Sequence, residues 1–193
     1  MRSLCIYCGS SSGNDPAYGE AARAVGVELA RRGIEVIYGG AHVGLMGQLA
    51  DAALGAGGRV IGVIPQQLVR KELAHRQLTA LHITSSMHAR KAKMAELSDG
   101  FVALPGGVGT LEEIFEIWTW AQLGLHGKPV GLLNIGGYYD ELVRFVDHAT
   151  SSGFVRPEQR GMLIVEPTIS ALLARFESWV PPVVEKWIAR DET

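Results

Sequence analysis

Short apolar runs alternate with amphipathic stretches along the whole chain. The runs are Ser3–Cys8, Glu35–Tyr38, Arg59–Ile64, Ala80–Thr84, Phe101–Leu104, Pro129–Leu133 and Met162–Val165, each of strand length and nearly continuous in apolar residues. Between them, Pro16–Arg32, Leu45–Leu54, Met87–Ser98, Leu111–Leu125, Tyr138–Ser152 and Thr168–Trp179 carry apolar residues at helical spacing. Strands without a polar face belong in a sheet covered on both sides, and strict β-α-β alternation joins parallel strands through crossover helices. The pattern therefore predicts an α/β chain with seven parallel strands and helices on both faces. No internal repeat or linker interrupts it, so residues 1–193 are expected to form a single domain. Pro181-Pro182 breaks the chain after the last of these stretches, and a further short helix is expected between there and Thr193.

Charge and hydropathy narrow the classes of function. The chain has 18 Lys and Arg against 20 Asp and Glu, a net charge of -2. A nucleic-acid binder needs a basic excess to hold phosphate backbone, so that class is set aside. No apolar run approaches membrane-spanning length, and Leu4–Cys8 is too short for a signal-peptide core, so a soluble cytoplasmic protein without membrane attachment is expected. Two cysteines do not make a disulfide scaffold. Cys5 and Cys8 have the C-x-x-C spacing of a redox pair, but they lie in a strand run, where residues three apart point to opposite faces. Structural, reduced thiols are expected.

Glycine carries the chemistry. There are 24, about 12% of the chain against a usual share of about 7%. They cluster behind the apolar runs: Gly9 and Gly13, Gly39 and Gly40, Gly44 and Gly47, Gly106, Gly107 and Gly109, Gly136 and Gly137. Ligands of open parallel sheets bind at the carboxyl ends of the strands, where such residues let backbone approach them. Neither common nucleotide fingerprint fits. Gly9-Ser10-Ser11-Ser12-Gly13 is not G-x-G-x-x-G, and Gly39 and Gly44 are followed by Leu45-Met46 rather than Lys-Ser/Thr.

The strongest local signal is Phe101–Leu104 followed by Pro105-Gly106-Gly107-Val108-Gly109-Thr110-Leu111-Glu112-Glu113, a strand, a glycine turn and a helix start. Unshielded N–H groups at such a start bind phosphate. Thr110 and Glu113 also form T-x-x-E, a capping box that would close the helix without ligand, although it leaves the run of turn residues before it unexplained. Upstream, Ser85 or Ser86 is the expected cap of a helix whose first turns hold Arg90 and Lys91. Cations there oppose the helix dipole unless an anion is near, which singles out Arg90. His88 beside them fits either acid–base work or a structural hydrogen bond. The remaining histidines lack metal-ligand spacing, so no metal is expected.

The segments Ser86-Met87-His88-Ala89-Arg90-Lys91 and Pro105-Gly106-Gly107-Val108-Gly109-Thr110-Leu111-Glu112-Glu113 resemble the signatures of the LONELY GUY (LOG) family of cytokinin riboside 5'-monophosphate phosphoribohydrolases. The similarity runs from the Cys8-Gly9-Ser10-Ser11 turn through Tyr38-Gly39-Gly40 and Gly44–Gly47 to Trp120–Gly124. Members have carried a lysine decarboxylase label, but nothing in the sequence looks like a pyridoxal-phosphate site. The resemblance implies a Rossmann-like doubly wound fold, a homodimer with the active site near the interface, and hydrolysis of the N-glycosidic bond of an adenine-type nucleotide 5'-monophosphate without a cofactor. By motif position it makes Arg90 and Glu113 catalytic. It puts Glu72, Lys91, Gly106, Gly107, Val108, Gly109, Thr110, Leu111, Glu112 and Thr119 in contact with substrate. Gly9, Ser10, Gly39, Gly40, Met87 and His88 fall near phosphate or ribose. Thr119 and Glu113 do not share a helix face, so one of them would reach a neighbouring protomer's site. Ser86 and Val108 depart from residues common in the family, which bears on the preferred base more than on the chemistry.

These residue types suit the reaction. Cleavage of a ribosyl–nitrogen bond passes through an oxocarbenium-like state that a carboxylate stabilises or supplies with activated water, the role expected of Glu113. Arg90, always charged, stabilises the leaving base electrostatically. A phosphate held by backbone N–H groups positions the sugar. Two other readings stand beside this one: a general nucleotide-monophosphate nucleosidase in salvage, and a non-catalytic carrier of a nucleotide or pterin cofactor. A carrier needs the glycine turn but no carboxylate at Glu113. Trp118, Trp120 and Leu123 are expected in the core, in a dimer seam, or in both.

Overall fold

The computed structural model describes residues 1–69 and 74–182. Seven parallel strands form one sheet: β1 (Ser3–Tyr7), β2 (Glu35–Tyr38), β3 (Val60–Pro65), β4 (Ala80–Thr84), β5 (Phe101–Ala103), β6 (Val130–Leu133) and β7 (Leu163–Glu166), in the order β4-β3-β2-β1-β5-β6-β7. β1 through β4 step outward in one direction. The chain then returns so that β5 pairs with the free side of β1, with Cys5 opposite Phe101 and Tyr7 opposite Ala103.

The helices divide between the faces as the apolar strands require. On one face, α1 (Pro16–Arg31), α2 (Gly44–Gly55) and α8 (Ile169–Glu177) bury Val25, Leu29, Leu49, Leu172 and Phe176 against Leu4, Ile6, Val36 and Val102. On the other, α4 (Met87–Leu97), α5 (Val108–Gln122) and α6 (Asp140–Ser151) bury Met94, Ile114, Ile117 and Val146 against Tyr7, Ile37, Val63 and Phe101. Cys5 and Cys8 belong to opposite clusters and both thiols are free, as their spacing on a strand predicts.

Two short helices, α3 (Gln66–Val69) and α7 (Pro157–Gly161), and a 3-10 turn at Ile135–Gly137 were not anticipated; none is long enough to show a helical period. α5 begins three residues earlier than its apolar pattern suggested, and α6 starts at Asp140, beyond Tyr138. The helix expected between Pro181 and Thr193 falls on residues 183–193, outside the described residues, as does Glu72. Among the described residues no helix is long and apolar enough to cross a membrane.

Candidate active site

The strand order reverses between β1 and β5, and a crevice opens there at the carboxyl ends of the strands. Two loops form it, and backbone bonds lock them together: Gly9 N–H donates to Pro105 O at 3.1 Å, and Leu45 N–H to Gly9 O at 3.0 Å. A cavity of about 290 Å³ lies between them, lined by residues 9–13, Tyr18, Leu45, Pro105, Gly106, Gly107 and Tyr138. Gly44 (φ 59°) sits so close to Ser10 that a side chain there would overlap its carbonyl, which explains glycine at the start of α2.

The glycines of the second loop have different reasons to be glycine. A Cβ at Gly106 would run into the Thr110 hydroxyl and lie 2.9 Å from Gly9 N. Gly106 is thus required by packing. Gly107 and Gly109 have nothing within 4 Å of such a Cβ, and Gly107 has an ordinary φ of -87°. Neither packing nor backbone strain asks for glycine at these two. What their bareness does is leave the first N–H groups of α5 open, and no side chain caps that helix.

This corrects the capping-box expectation. Gly107 is the N-cap and Val108 the first helical residue, so Thr110 lies at the third position and Glu113 at the sixth, too far along to cap. The glycine turn ends earlier than the T-x-x-E pattern assumes. Glu113 instead points inward, where it is 8% exposed and its Oε1 accepts from Arg90 Nη1. Arg90, also buried, donates through Nε to Val63 O at 3.1 Å, and its guanidinium lies against Gly39: a Cβ there would fall 2.5 Å from Nη2. Ser86 proves to be the N-cap of α4, its hydroxyl accepting from Ala89 N at 3.1 Å. The cations that oppose the α4 dipole are answered from α5.

Burial drives the Glu113 carboxyl above the ordinary glutamate range; the Arg90 charge and hydrogen bond pull it back only in part. Lys91, 5% exposed, pairs with Glu112 and, at 3.0 Å, with Glu116. Burial alone would lower its pKa, but the two carboxylates outweigh it and the ammonium titrates above its usual value. A Schiff-base lysine needs the opposite shift, so Lys91 does not suit pyridoxal-phosphate chemistry.

The other expected residues are placed as follows. Gly9, Ser10, Gly106 and Gly107 line the crevice. Gly40 (φ 77°) turns the chain behind β2 and accepts from His75 N at 2.9 Å. Val108 is 84% exposed at the helix start, Leu111 is packed against the core, and Met87 and His88 face solvent at the start of α4. Thr119 is exposed on α5, its hydroxyl donating to Phe115 O at 2.7 Å, and it does not join the Arg90–Glu113 group. Trp118 is core, with Nε1 donating to Gln159 O at 3.0 Å, while Leu123 is exposed.

Sequence reasoning missed Tyr18 and Tyr138, which close one wall of the crevice edge to face, centroids 5.5 Å apart. The Tyr138 hydroxyl donates to Gly106 O at 2.6 Å, and that of Tyr139 to Leu104 O at 2.6 Å. The Gly136-Gly137 pair just ahead of them was the available signal. Among the described residues no cluster of three or more metal-ligating side chains occurs.

A doubly wound parallel sheet with an uncapped helix start at its switch point defines a class: Rossmann-like α/β proteins. The family model described as "Possible lysine decarboxylase" matches residues 46–176. The probable cytokinin riboside 5'-monophosphate phosphoribohydrolase LOGL5 of Oryza sativa subsp. japonica is 50% identical over 182 residues, 94% of this chain and 74% of its own length. Cytokinin riboside 5'-monophosphate phosphoribohydrolase LOG1 of Arabidopsis thaliana is 46% identical over 94% of this chain and 85% of its own. The Moco carrier protein from Chlamydomonas reinhardtii superposes with a TM-score of 0.70 over 93% of this chain and 97% of its own, at 22% identity, a likeness of fold alone. The chain belongs to the LOG family of phosphoribohydrolases.

Proposed function

We propose that the protein hydrolyses the N-glycosidic bond of cytokinin (N6-substituted adenine) riboside 5'-monophosphates, and of AMP, to free base and ribose 5-phosphate. The observation that carries this reading is the buried Arg90–Glu113 pair beside an uncapped helix start. A carrier would need only the latter. The 5'-phosphate is anchored on the N–H groups of Val108, Gly109 and Thr110, which leaves the ribose facing the pair. As the C1'–N9 bond lengthens, Glu113 stabilises positive charge on the sugar or takes a proton from the attacking water. Water supplies hydroxide to C1' and a proton to the departing base, whose developing negative charge Arg90 offsets. The phosphate supplies positioning energy, the physical basis for preferring a nucleotide over a nucleoside.

The same reading makes the protein a cytoplasmic homodimer with the active site near the interface, where Thr119 of α5 meets the other protomer. Exposed Leu123 and Leu125 beyond that helix support an apolar seam.

The test is chromatography of free base after incubation with AMP and with isopentenyladenosine 5'-monophosphate, with Arg90→Ala and Glu113→Gln alongside. Release by the wild type and not by either variant supports the hydrolase, and the ratio of the two substrates separates cytokinin activation from general salvage. Binding of both nucleotides without release refutes it in favour of a carrier.

A further inference from the structure

The helix start and the buried pair define a direction across the sheet. α5 follows β5, whereas Arg90 donates to Val63 O in β3 and lies against Gly39, just beyond β2. In the strand order β3-β2-β1-β5-β6 those contacts fall on one side of the α5 start, and the turn after β6 falls on the other. A nucleotide whose 5'-phosphate rests on α5 and whose ribose faces Arg90 and Glu113 therefore turns its free phosphate oxygens toward the turn after β6. Tyr138 stands there, with Tyr18 of α1 against it.

The two rings form a fixed wall. Gly13 (φ 73°) packs so closely on Tyr18 that a Cβ there would fall 2.8 Å from the ring carbon Cδ2. Tyr138 meets Tyr18 edge to face on one side and Tyr139, centroids 4.9 Å apart, on the other. Its hydroxyl gives its one proton to Gly106 O at 2.6 Å and has none left for a ligand.

The wall lacks charge. Among the described residues that line the crevice none is charged, and the hydroxyls of Ser10, Ser11, Ser12 and Tyr18 are neutral. Arg23 belongs to a neighbouring cavity behind Ser12 and Gly13, where Asp15 stands with it and its guanidinium donates to Gln48 Oε1. One phosphate is satisfied by the N–H groups and dipole of the helix start. A second would lose water against ring edges and hydroxyls with no cation to answer its charge.

We propose that Tyr18 and Tyr138 limit the substrate to a single phosphate: an uncharged aromatic wall closes the crevice beyond the 5'-phosphate and leaves the next phosphate of a nucleoside di- or triphosphate without a counter-charge. The proposal rests on the placing of the 5'-phosphate at the start of α5. It assigns discrimination to two residues that take no part in breaking the glycosidic bond.

The experiment measures kcat/KM for isopentenyladenosine 5'-monophosphate and 5'-diphosphate in the wild type, Tyr138→Arg and Tyr138→Phe. The wild type should prefer the monophosphate by about a hundredfold or more. Tyr138→Arg supplies the missing cation at a position 40% exposed, and should raise the diphosphate-to-monophosphate ratio by about tenfold or more. Tyr138→Phe keeps an uncharged ring, so its ratio should stay within about threefold of the wild type. Equal cleavage of the two nucleotides by the wild type overturns the proposal, as does an unmoved ratio in Tyr138→Arg or an equal gain in Tyr138→Phe. If the wild type releases no base from either nucleotide, the hydrolase reading fails, and the ratio of the dissociation constants of AMP and ADP, measured by calorimetry on the same three proteins, decides the role of the wall by the same criteria.

Discussion

Alanine at three glycines of the α5 turn should separate stability from function. At Gly106 the new methyl group meets the Thr110 hydroxyl and closes to 2.9 Å from Gly9 N, both inside the packed junction of the two loops. Overpacking of this kind costs about 1–3 kcal/mol. For a domain of this size that lowers Tm by roughly 2–12 °C. At Gly109, the second residue of α5, the methyl group meets nothing within 4 Å. Alanine there removes the entropic cost of a helical glycine, a gain of up to about 1 kcal/mol. Gly107→Ala at the N-cap costs at most about 1 kcal/mol. Function runs the other way. A methyl group at residue 107 or 109 stands over the N–H groups proposed to hold the phosphate, and each charge-assisted bond lost is worth about 1.5–3 kcal/mol, roughly ten- to a hundredfold in kcat/KM. Gly109→Ala should therefore melt at or above the wild-type temperature and hydrolyse the nucleotide poorly. The assay pairs thermal melting with base release from isopentenyladenosine 5'-monophosphate and from its nucleoside. The nucleoside, which has no phosphate to place, should be cleaved equally by both proteins. Wild-type kcat/KM in Gly109→Ala, or an equal defect on nucleotide and nucleoside, refutes the helix start as the phosphate site.

In the proposed mechanism Glu113 works as the carboxylate, and burial raises its pKa in the free protein, so kcat/KM should fall with decreasing pH through a limb above 4.5; a limb at or below 4.5 contradicts the assigned role. Arg90 holds that carboxyl down, so in Arg90→Met the Glu113 carboxyl, followed by its 13C shift, should titrate higher still. Asp99 is shifted the other way: burial would raise it, but N–H groups of Arg2 (2.7 Å) and Ser3 (3.2 Å) donate to its Oδ2 and outweigh that, lowering the pKa below 3.8. Its contribution is present above the unfolded pKa and is lost as pH falls through the folded one. Asp99→Asn should cost about 1 kcal/mol at pH 7 after allowance for solvent screening, and the difference should shrink in denaturation at pH 3; a difference that persists there rejects the assignment. Burial pushes the Cys5 thiol up to about 12 and Cys8 higher still, so neither should react with a thiol reagent at pH 8 until the protein unfolds.

The layered fold was legible because its cause is local: strands apolar on both faces can be satisfied only between two layers of helices. The order of the strands was not. Nothing in Phe101–Ala103 marks it as the strand that returns to pair with β1, yet that return brings Gly9 beside Pro105 and makes the crevice. Helices of four and five residues, α3 and α7, lack the length to show a period. Tyr138 escaped notice for a related reason. It reads as the start of an amphipathic helix, and only the 3-10 turn ahead of α6 frees its hydroxyl to cap Gly106 O.

Glu113 shows how a residue singled out by the sequence can come with an incorrect local account. T-x-x-E spacing offers the carboxylate a capping partner, and a cap would have tied it to backbone at the helix mouth. The helix starts at Val108, two residues before the threonine, because the N-cap falls on Gly107. Moving the N-cap three residues back puts Glu113 at the sixth helical position instead of the third, about 4.5 Å further along the axis, where its Oε1 accepts from Arg90. Thr110 remains useful in another way, as the buried group against which Gly106 must be glycine. The early start of α5 therefore does two things at once: it leaves the terminal N–H groups without a side-chain cap, open to an anion, and it releases the one carboxylate that would otherwise have been spent on closing them.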